Sequence, residues 1–205
     1  LFSLYYTDID VSYIPAMNDE VLTQLAPRCE SLHSLKMAYA RLHHMSPSHT
    51  NITDDGFSSF IASCPNLRVL DIGNSSFLTD TSLLSLPQGR RLLVASRVAT
   101  THLHSLSVDN NKVTDRGIHA VLAQLPIRQL SVAFCSNITG SGWFRELRVD
   151  ACFCLIEESE LEEVNVMWCA KLTDETFQRL QHCRKLVKVG ISGCSISKPL
   201  QHLCE

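Results

Sequence analysis

The sequence predicts an α/β solenoid, in which about six to seven short repeats stack into a curved parallel sheet on the concave side and helices on the convex side. Three observations support this prediction. A phrase with alternating apolar residues recurs along the 205 residues, a second phrase with a Thr-Asp pair follows most of its copies, and the interval between copies is regular. We therefore expect function to lie on a surface that the repeats share.

The first phrase predicts a short strand. Its clearest copy, Cys64-Pro-Asn-Leu67-Arg-Val-Leu70-Asp-Ile72, is matched by copies that open at Cys29 and Cys183, and by copies without the cysteine that open at residues 103, 127 and 161. The alternation with a period of two is that of a strand with one buried face. The pairs expected to point inward are Leu35 and Met37, Leu70 and Ile72, Leu106 and Val108, Leu130 and Val132, Val164 and Val166, and Val189 and Ile191.

The second phrase predicts a capped helix. In its copy TDDGFSSFIASC, Thr53 precedes an acidic first turn, and Phe57, Phe60 and Ile61 recur at helical spacing. The Asp of this phrase, or a Gly in its place, stands at positions 19, 54, 80, 115, 140 and 174. The intervals are 35, 26, 35, 25 and 34 residues, so we infer a repeat of about 26 residues that sometimes carries eight or nine more.

Nine cysteines raise the question of a disulfide framework. Three of them close a predicted helix, and three more, Cys135, Cys169 and Cys194, occupy the corner after a strand. Other repeats have Ala40, Ser75 or Asn111 in this corner column, which indicates a packing position that suits a small residue. We expect reduced structural thiols, with disulfides as the alternative.

The combined pattern C-x-x-L-x-x-L-x-L-x-x-C-x-x-I-T-D, met several times between about residues 17 and 194, resembles the cysteine-containing leucine-rich repeat of F-box/leucine-rich-repeat and Amn-type proteins. The resemblance implies a leucine-rich-repeat solenoid that recognises a protein partner or a ubiquitination substrate, as the substrate-recognition part of an SCF-type ubiquitin ligase receptor. It implies Skp and cullin as partners only if an F-box lies upstream, and no F-box is visible. A stand-alone Amn-like regulator fits equally well.

We expect one leucine-rich-repeat domain over residues 1–205. Because the first residue is Leu1, we expect the chain to be a fragment of a longer one. Three segments depart from the repeat: 40–49 lengthens a corner, 88–102 lengthens the return before a strand, and 142–160 replaces a helix. The third contains Phe144, Leu147, Val149 and Cys152, which could form a further strand in a degenerate repeat.

Composition and motifs argue against several classes of function. The net charge of −3 offers no general attraction for nucleic acid or an anionic membrane, and no apolar run reaches the length of a transmembrane helix. No nucleophile motif, phosphate loop or metal-ligand set is present, since Cys152 and Cys154 alone are too few for a structural zinc site. We therefore expect no enzyme activity, no cofactor and no metal.

The resemblance implies an intracellular protein, cytoplasmic or nuclear. The alternative is an extracellular leucine-rich-repeat receptor or adhesion domain, because Asn51, Asn74 and Asn137 each begin an Asn-x-Ser/Thr sequence. Two of these sequences arise because an asparagine precedes the Ile-Thr of the helix cap, which favours the intracellular interpretation.

The concave side is the expected binding surface, formed by the outward residues of each strand and of the following corner. Met167 and Trp168 beside Phe134 are the best candidates for a contact patch, because aromatic residues and Met are enriched in protein interfaces. The alternative is that both rings fold over the edge of the core. Asp71, Asp109 and Glu163 predict a mildly acidic wall that suits a basic partner. The full candidate set is Lys36, Tyr39, Asp71, Asn74, Asp109, Asn110, Phe134, Glu163, Asn165, Met167, Trp168 and Lys188.

Overall fold

The computed structural model describes residues 5–14, 17–38, 52–75, 78–92, 102–140, 160–181 and 183–195, and of residues 87–92 and 179 the backbone alone. Its strands are β1 (Asp8–Asp10), β2 (Ser34–Lys36), β3 (Val69–Asp71), β4 (Ser105–Ser107), β5 (Gln129–Ser131), β6 (Glu163–Asn165) and β7 (Lys188–Gly190). Its helices are α1 (Asp19–Leu25), continued by a 3₁₀ turn (Ala26–Arg28), then α2 (Asp54–Ile61), α3 (Asp80–Leu92), α4 (Asp115–Leu122) and α5 (Asp174–Leu180).

The seven strands form one parallel sheet in chain order, β1 to β7, so each repeat adds one strand beside the last. The central residues of the strands are in register, with Leu35 opposite Leu70 and Leu70 opposite Leu106. The predicted solenoid is confirmed, and ten of the twelve residues expected to point inward are buried. The exceptions, Val189 and Ile191 at the last strand described, are half-buried. Strand β1 belongs to an additional repeat, which the sequence pattern did not reveal.

Where each strand from β2 to β7 begins, one backbone carbonyl of the preceding repeat accepts hydrogen bonds from two successive N–H groups. The carbonyl oxygen of His33 accepts from the backbone N–H groups of both Arg68 (2.8 Å) and Val69 (2.9 Å). The carbonyl of Arg68 accepts in the same way from the next repeat, and the arrangement continues to Glu162. The register stays one to one, with Ser34 opposite Val69, so the residues that provide these carbonyls occupy equivalent positions just before successive strands.

The Thr-Asp phrase caps the helices and also joins the repeats. Thr53 caps α2 by accepting from the backbone N–H of Gly56 (3.0 Å), as predicted. Its own N–H (2.9 Å) and hydroxyl (2.7 Å) donate to the carboxylate of Asp19 in the preceding repeat. The same two bonds join Asp54 to Thr79, Asp80 to Thr114 and Asp115 to Thr139, and we call this set of four links the Asp–Thr ladder.

Asp54 shows the electrostatic consequence of the ladder. Partial burial raises the pKa of its carboxyl group, but hydrogen bonds from Ser82 and Thr79 outweigh burial and leave the pKa lowered. Small residues stand where the carboxylate of the preceding repeat must fit, because a Cβ on Gly56 would overlap Asp19 and a Cβ on Gly117 would overlap Asp80. The Asp of the phrase therefore begins the helix of its own repeat and accepts hydrogen bonds from the Thr of the next repeat.

The corner column is a second set of links between repeats. The thiol of Cys135 donates to the carbonyl of Val108 (3.3 Å), and the thiol of Cys169 donates to that of Val132 (3.1 Å). Where another residue replaces the cysteine, the bond persists: the Ser75 hydroxyl donates to Met37 O (3.3 Å), and Asn111 Nδ2 donates to Ile72 O (2.9 Å). In these repeats the column residue therefore donates a hydrogen bond to the preceding repeat in addition to packing in the corner.

Two of the three departures from the repeat lie largely or wholly outside the described residues: segment 40–49 and, except for Glu160, segment 142–160 with its candidate strand. Helix α3 continues to Leu92, so residues 88–92 extend a helix and do not belong to the return, where the sequence interpretation had put them. Within the described parts of the chain, no helix is long and apolar enough to span a membrane.

Candidate functional site

The outward residues of the strands form two rows across the concave side. The first row contains Asp8, Ser34, Val69, Ser105, Gln129, Glu163 and Lys188, and the second contains Asp10, Lys36, Asp71, Ser107, Ser131, Asn165 and Gly190. Over β4 to β7, residues of both rows and Met167 line a shallow groove. Its lining includes the small residues Ser105, Ser107, Ser131 and Gly190, which let a ligand approach the sheet closely.

Local contacts engage each of the three carboxylates expected to make this wall acidic. Glu163 forms an ion pair with Lys188 of the neighbouring strand (3.2 Å), and both side chains are well exposed. Asp71 Oδ1 accepts from the backbone N–H of Gly73 (3.0 Å). The expectation of a mildly acidic wall for a basic partner stays a prediction: Lys188 offsets the charge of Glu163, whereas the N–H of Gly73 leaves the charge of Asp71 in place.

The third carboxylate, Asp109, belongs to a network that spans three repeats. Its Oδ1 accepts from the Ser131 hydroxyl (2.5 Å) and from the Ala133 N–H (2.8 Å). Asn165 Nδ2 in turn donates to the Ser131 hydroxyl oxygen (3.0 Å). Burial raises the pKa of Asp109, and the nearby charge of Asp71 adds to the increase. Asp109 is thus a structural acceptor at the edge of the groove.

The corner residue that precedes the cysteine column has a left-handed backbone in every described repeat. The positive φ angles are those of Tyr13 (64°), Asn74 (58°), Asn110 (52°), Phe134 (60°), Trp168 (61°) and Gly193 (77°), and we call these residues the left-handed row. The N–H groups of the first five donate to a carbonyl group of the next repeat, for example from Phe134 to Met167 O (2.8 Å). Glycine and asparagine tolerate this conformation, whereas bulky aromatic residues adopt it at a cost.

Two aromatic members of the left-handed row stack on each other. The ring centroids of Phe134 and Trp168 are 6.0 Å apart, with 9° between the ring planes. Their exposed fractions are 54% and 55%, so about half of each side chain is accessible to a partner. Gly193 follows in the row, and a Cβ there would overlap the Trp168 ring. We call Phe134 and Trp168 the aromatic stack.

The other candidates in the row are joined by a polar contact. Asn110 Nδ2 donates to Asn74 Oδ1 (2.8 Å), so the amides of two repeats form a short ladder beside the aromatic stack. This contact also engages the asparagine of one of the three predicted glycosylation sequences.

The structure thus places the candidate residues in separate groups. One is the aromatic stack, one is the asparagine pair, one is the Glu163–Lys188 ion pair, and one is the network of Asp109 and Asn165 next to Met167, whose N–H donates to Asn165 Oδ1 (3.2 Å). Lys36 lies opposite Asp71 in the second row. Tyr39 lies outside the described residues.

Sequence reasoning missed Tyr13, which is 58% exposed and begins the left-handed row. A signal was present, because Asn74, Asn110 and Gly193 at equivalent positions are the residues that favour a positive φ. It also missed Ser131, the hydroxyl that links Asp109 to Asn165.

The described cysteines lie in apolar surroundings and not in a reactive cluster. All six are free thiols, and burial raises the pKa of Cys135 and Cys183 to about 11 and that of Cys169 to about 12. In the part of the chain that the structure covers, no group of three or more His, Cys, Asp or Glu is placed to hold a metal ion.

Comparison with known proteins identifies the repeat. A family model described as Leucine Rich repeat matches residues 100–122, which include strand β4 and all of helix α4. No curated protein sequence matches the chain.

The fold has counterparts among solved structures. A chain from the crystal structure of the Rad7 and Elc1 complex in yeast superposes with a TM-score of 0.61 and 16% sequence identity over 89% of this chain. The present chain spans only 42% of the length of that chain. Together with the family model, this likeness identifies the fold as a leucine-rich-repeat solenoid.

Proposed function

We propose that this leucine-rich-repeat solenoid is a non-enzymatic module that recognises a protein partner through the concave side of its sheet. The observation that supports the proposal most strongly is the aromatic stack. Phe134 and Trp168 are both more than half exposed, and both hold a backbone conformation that asparagine or glycine would adopt at lower cost.

The backbone strain of the left-handed row is the reason why the exposed aromatic stack supports a binding function. Non-glycine residues in the left-handed region cost on the order of 1 kcal/mol or more and concentrate at functional sites. Aromatic side chains supply many of the energetic hot spots of protein interfaces. A rigid, exposed pair beside the shallow groove is therefore a suitable anchor for an apolar side chain of a partner.

The structural neighbour supports a protein as the ligand, since the yeast structure contains two proteins in complex. The groove supports the same conclusion, because it runs across four adjacent strands, β4 to β7, and its lining mixes polar with apolar residues as protein interfaces do.

The experiment for the anchor is quantitative affinity capture followed by measurement with the purified partner. We expect Trp168→Ala to weaken partner binding by more than about 1 kcal/mol, the usual threshold for a hot spot, without unfolding the chain. Val187→Ala is the matched control, because Val187 is 83% exposed but lies at the edge where strand β7 begins. Equal binding by both variants would exclude the aromatic stack as the anchor.

The more specific form of the proposal is a substrate-recognition domain of an SCF-type ubiquitin ligase receptor. The hydrogen-bonded cysteine column supports it, because the cysteine-containing repeat is the feature on which the resemblance to F-box/leucine-rich-repeat proteins rests. Co-purification of the full-length protein with Skp and cullin would support ligase membership. If the full-length protein captures a partner without them, the stand-alone Amn-like regulator replaces this version.

We also propose an intracellular location. Five of the six described cysteines donate a thiol hydrogen bond to a backbone carbonyl, an arrangement that suits a reducing compartment. The hydroxyl groups of Thr53 and Thr139, in two of the glycosylation sequences, are engaged in the Asp–Thr ladder. Mass spectrometry of the native protein should find free thiols and unmodified Asn51 and Asn137; paired thiols with glycans would instead support the extracellular receptor.

A further inference from the structure

Basic side chains gather where the middle strands of the sheet begin, and one further cation, Lys36, lies at the other end of the strands opposite Asp71. Where strands β2 to β5 begin, the residues whose carbonyl groups each accept two N–H groups of the next repeat are His33, Arg68, His104 and Arg128, and we call these four the basic edge. Their neighbours in the first row, Ser34, Val69, Ser105 and Gln129, are uncharged. The carboxylates of the same four repeats, Asp71 and Asp109, lie at the opposite ends of the strands.

The basic edge is geometrically regular. Each carbonyl of His33, Arg68 and His104 accepts two N–H groups from the next repeat, at 2.8 to 3.1 Å, which holds the four residues in line. With neighbouring strands about 4.8 Å apart, the four side chains span about 14 Å. Arginine offers several fixed donors, and a histidine ring can donate in either protonation state. The edge is therefore a continuous series of hydrogen-bond donors.

The cations of this edge are available to a ligand. Arg68 is exposed, and its side chain forms no ion pair with any residue that the structure describes. Arg128 contacts Glu162 at 3.5 Å, but the two side chains are 55% and 41% exposed. An exposed pair of this kind contributes little to stability and exchanges readily for another carboxylate.

We propose that the basic edge binds an acidic segment, rich in Asp and Glu, of the protein partner. This inference rests on the proposed recognition function and adds the chemistry of the partner. It reverses the expectation of a basic partner, because the carboxylates on which that expectation rested are engaged by Gly73, Ser131, Ala133 and Lys188. A partner that crosses the groove would place acidic residues at the basic edge and an apolar residue on the aromatic stack.

The test uses fluorescence anisotropy of the purified chain with a labelled octaglutamate peptide, an octalysine peptide of the same length and an eight-residue oligothymidylate, all at low ionic strength. We expect octaglutamate to bind about tenfold or more tightly than octalysine, with affinity falling as salt is added. Tighter binding of octalysine would overturn the proposal. Oligothymidylate binding that exceeds octaglutamate binding and depends on Arg68 would replace the acidic peptide by a nucleic acid.

Three variants localise the effect. Arg68→Glu should lower octaglutamate affinity at least about fivefold, and Glu162→Gln should raise it by releasing Arg128 from a competing carboxylate. Arg116→Glu is the control, because it makes the same charge change in the first turn of α4 on the convex side. Equal losses in Arg68→Glu and Arg116→Glu would mean that only net charge matters, and would overturn the proposal.

The two proposals fail separately. Trp168→Ala tests the aromatic anchor with the purified partner and should leave octaglutamate binding unchanged. Loss of partner binding in Trp168→Ala together with full octaglutamate binding in Arg68→Glu would retain the recognition function and refute the acidic segment.

Discussion

Phe134 and Trp168 stack across two adjacent repeats with 9° between their ring planes, and both have a positive φ angle. The stack offsets part of the backbone cost, because an aromatic pair contributes about 0.5–1.5 kcal/mol beyond the area that it buries. It does so while leaving both rings about half exposed. The two residues with a strained backbone thus form a surface that a partner can reach.

The variant Phe134→Asn should separate binding from stability. Asparagine occupies the equivalent position at 110 and suits the left-handed backbone, so relief of strain should offset the lost stack. We expect the free energy of unfolding to change by less than about 1 kcal/mol while partner affinity falls by more than that. Chemical denaturation and calorimetry with the partner measure the two effects. Phe134→Leu, which keeps the strain but loses the stack, should be the less stable of the two variants.

The variant Asn111→Cys should stabilise the chain. Asn111 fills the corner column and donates to Ile72 O, but its Oδ1 is buried without a hydrogen-bond partner. Cysteine, present at positions 135 and 169, would keep a donor and remove the unpaired oxygen, a gain of about 1 kcal/mol. Thermal denaturation provides the measurement. Asn111→Val, which removes the donor, should be destabilised; a loss of similar size in Asn111→Cys would show that the unpaired oxygen costs nothing.

Gly117→Ala should destabilise the chain although alanine is the better helix former. Intrinsic propensity favours alanine by about 1 kcal/mol, but its Cβ would lie 2.6 Å from Asp80 Oδ1 and 3.0 Å from Leu83 Cδ1. We expect a net loss of about 1–3 kcal/mol in urea denaturation. Gly117→Ser should lose less, since Ser82 at the equivalent position of α3 donates its hydroxyl to Asp54. A stabilised Gly117→Ala would mean that the carboxylate of Asp80 moves aside freely.

Asp54 should contribute stability that depends on pH. Because its pKa is lowered in the folded chain, its contribution is fully present above its unfolded pKa of about 3.9 and is lost as the pH falls through the lower folded value. Asp54→Asn should therefore reduce the free energy of unfolding at pH 7, on the order of 1–2 kcal/mol, and converge with the parent chain in acid. Asp55→Asn, at the exposed neighbouring position, should change little at either pH.

The buried thiols should react slowly while the chain is folded. With the pKa of Cys135 and Cys183 raised to about 11 and that of Cys169 to about 12, very little thiolate is present near pH 7.5. Pulsed alkylation with peptide mapping should show these three cysteines protected in buffer and labelled in denaturant. Rapid labelling of Cys135 or Cys169 in buffer would mean that the corner column opens locally, and rapid labelling of Cys183 would mean the same for the end of α5.

The sequence pattern predicted the strands and the helix caps because each depends on residues that are close together in the chain. Leu70 and Ile72 alternate within one strand, and Thr53 caps the helix that begins at the next residue, so each can be read from a few neighbours. Strand β1 escaped detection because the repeat of Ile9 and Val11 lacks the leading cysteine and has Tyr6 where every detected copy has Leu or Ile.

The links between repeats could not be predicted in this way. Asp80 and Thr114 are 34 residues apart, and their contact exists only once two repeats are stacked. Phe and Trp rarely adopt a left-handed backbone, so the residue types at positions 134 and 168 did not indicate one. Only the equivalence with Asn74, Asn110 and Gly193 indicates it. The contacts of the charged residues could not be predicted for the same reason, because the partners of Asp109 and Glu163 lie in neighbouring repeats.

The Asp–Thr ladder has a consequence for cooperative unfolding. Gly140 occupies the position of the next aspartate and has no carboxylate, so the ladder joins the repeats up to Thr139 and does not pass through position 140 to α5. Subglobal opening should therefore begin beyond that point, and the amides of β6 and β7 should exchange hydrogen faster than those of β2 to β5. Phe134 and Trp168 lie on opposite sides of this boundary, so a partner that covers both rings should slow exchange in the last two strands, well beyond its own footprint.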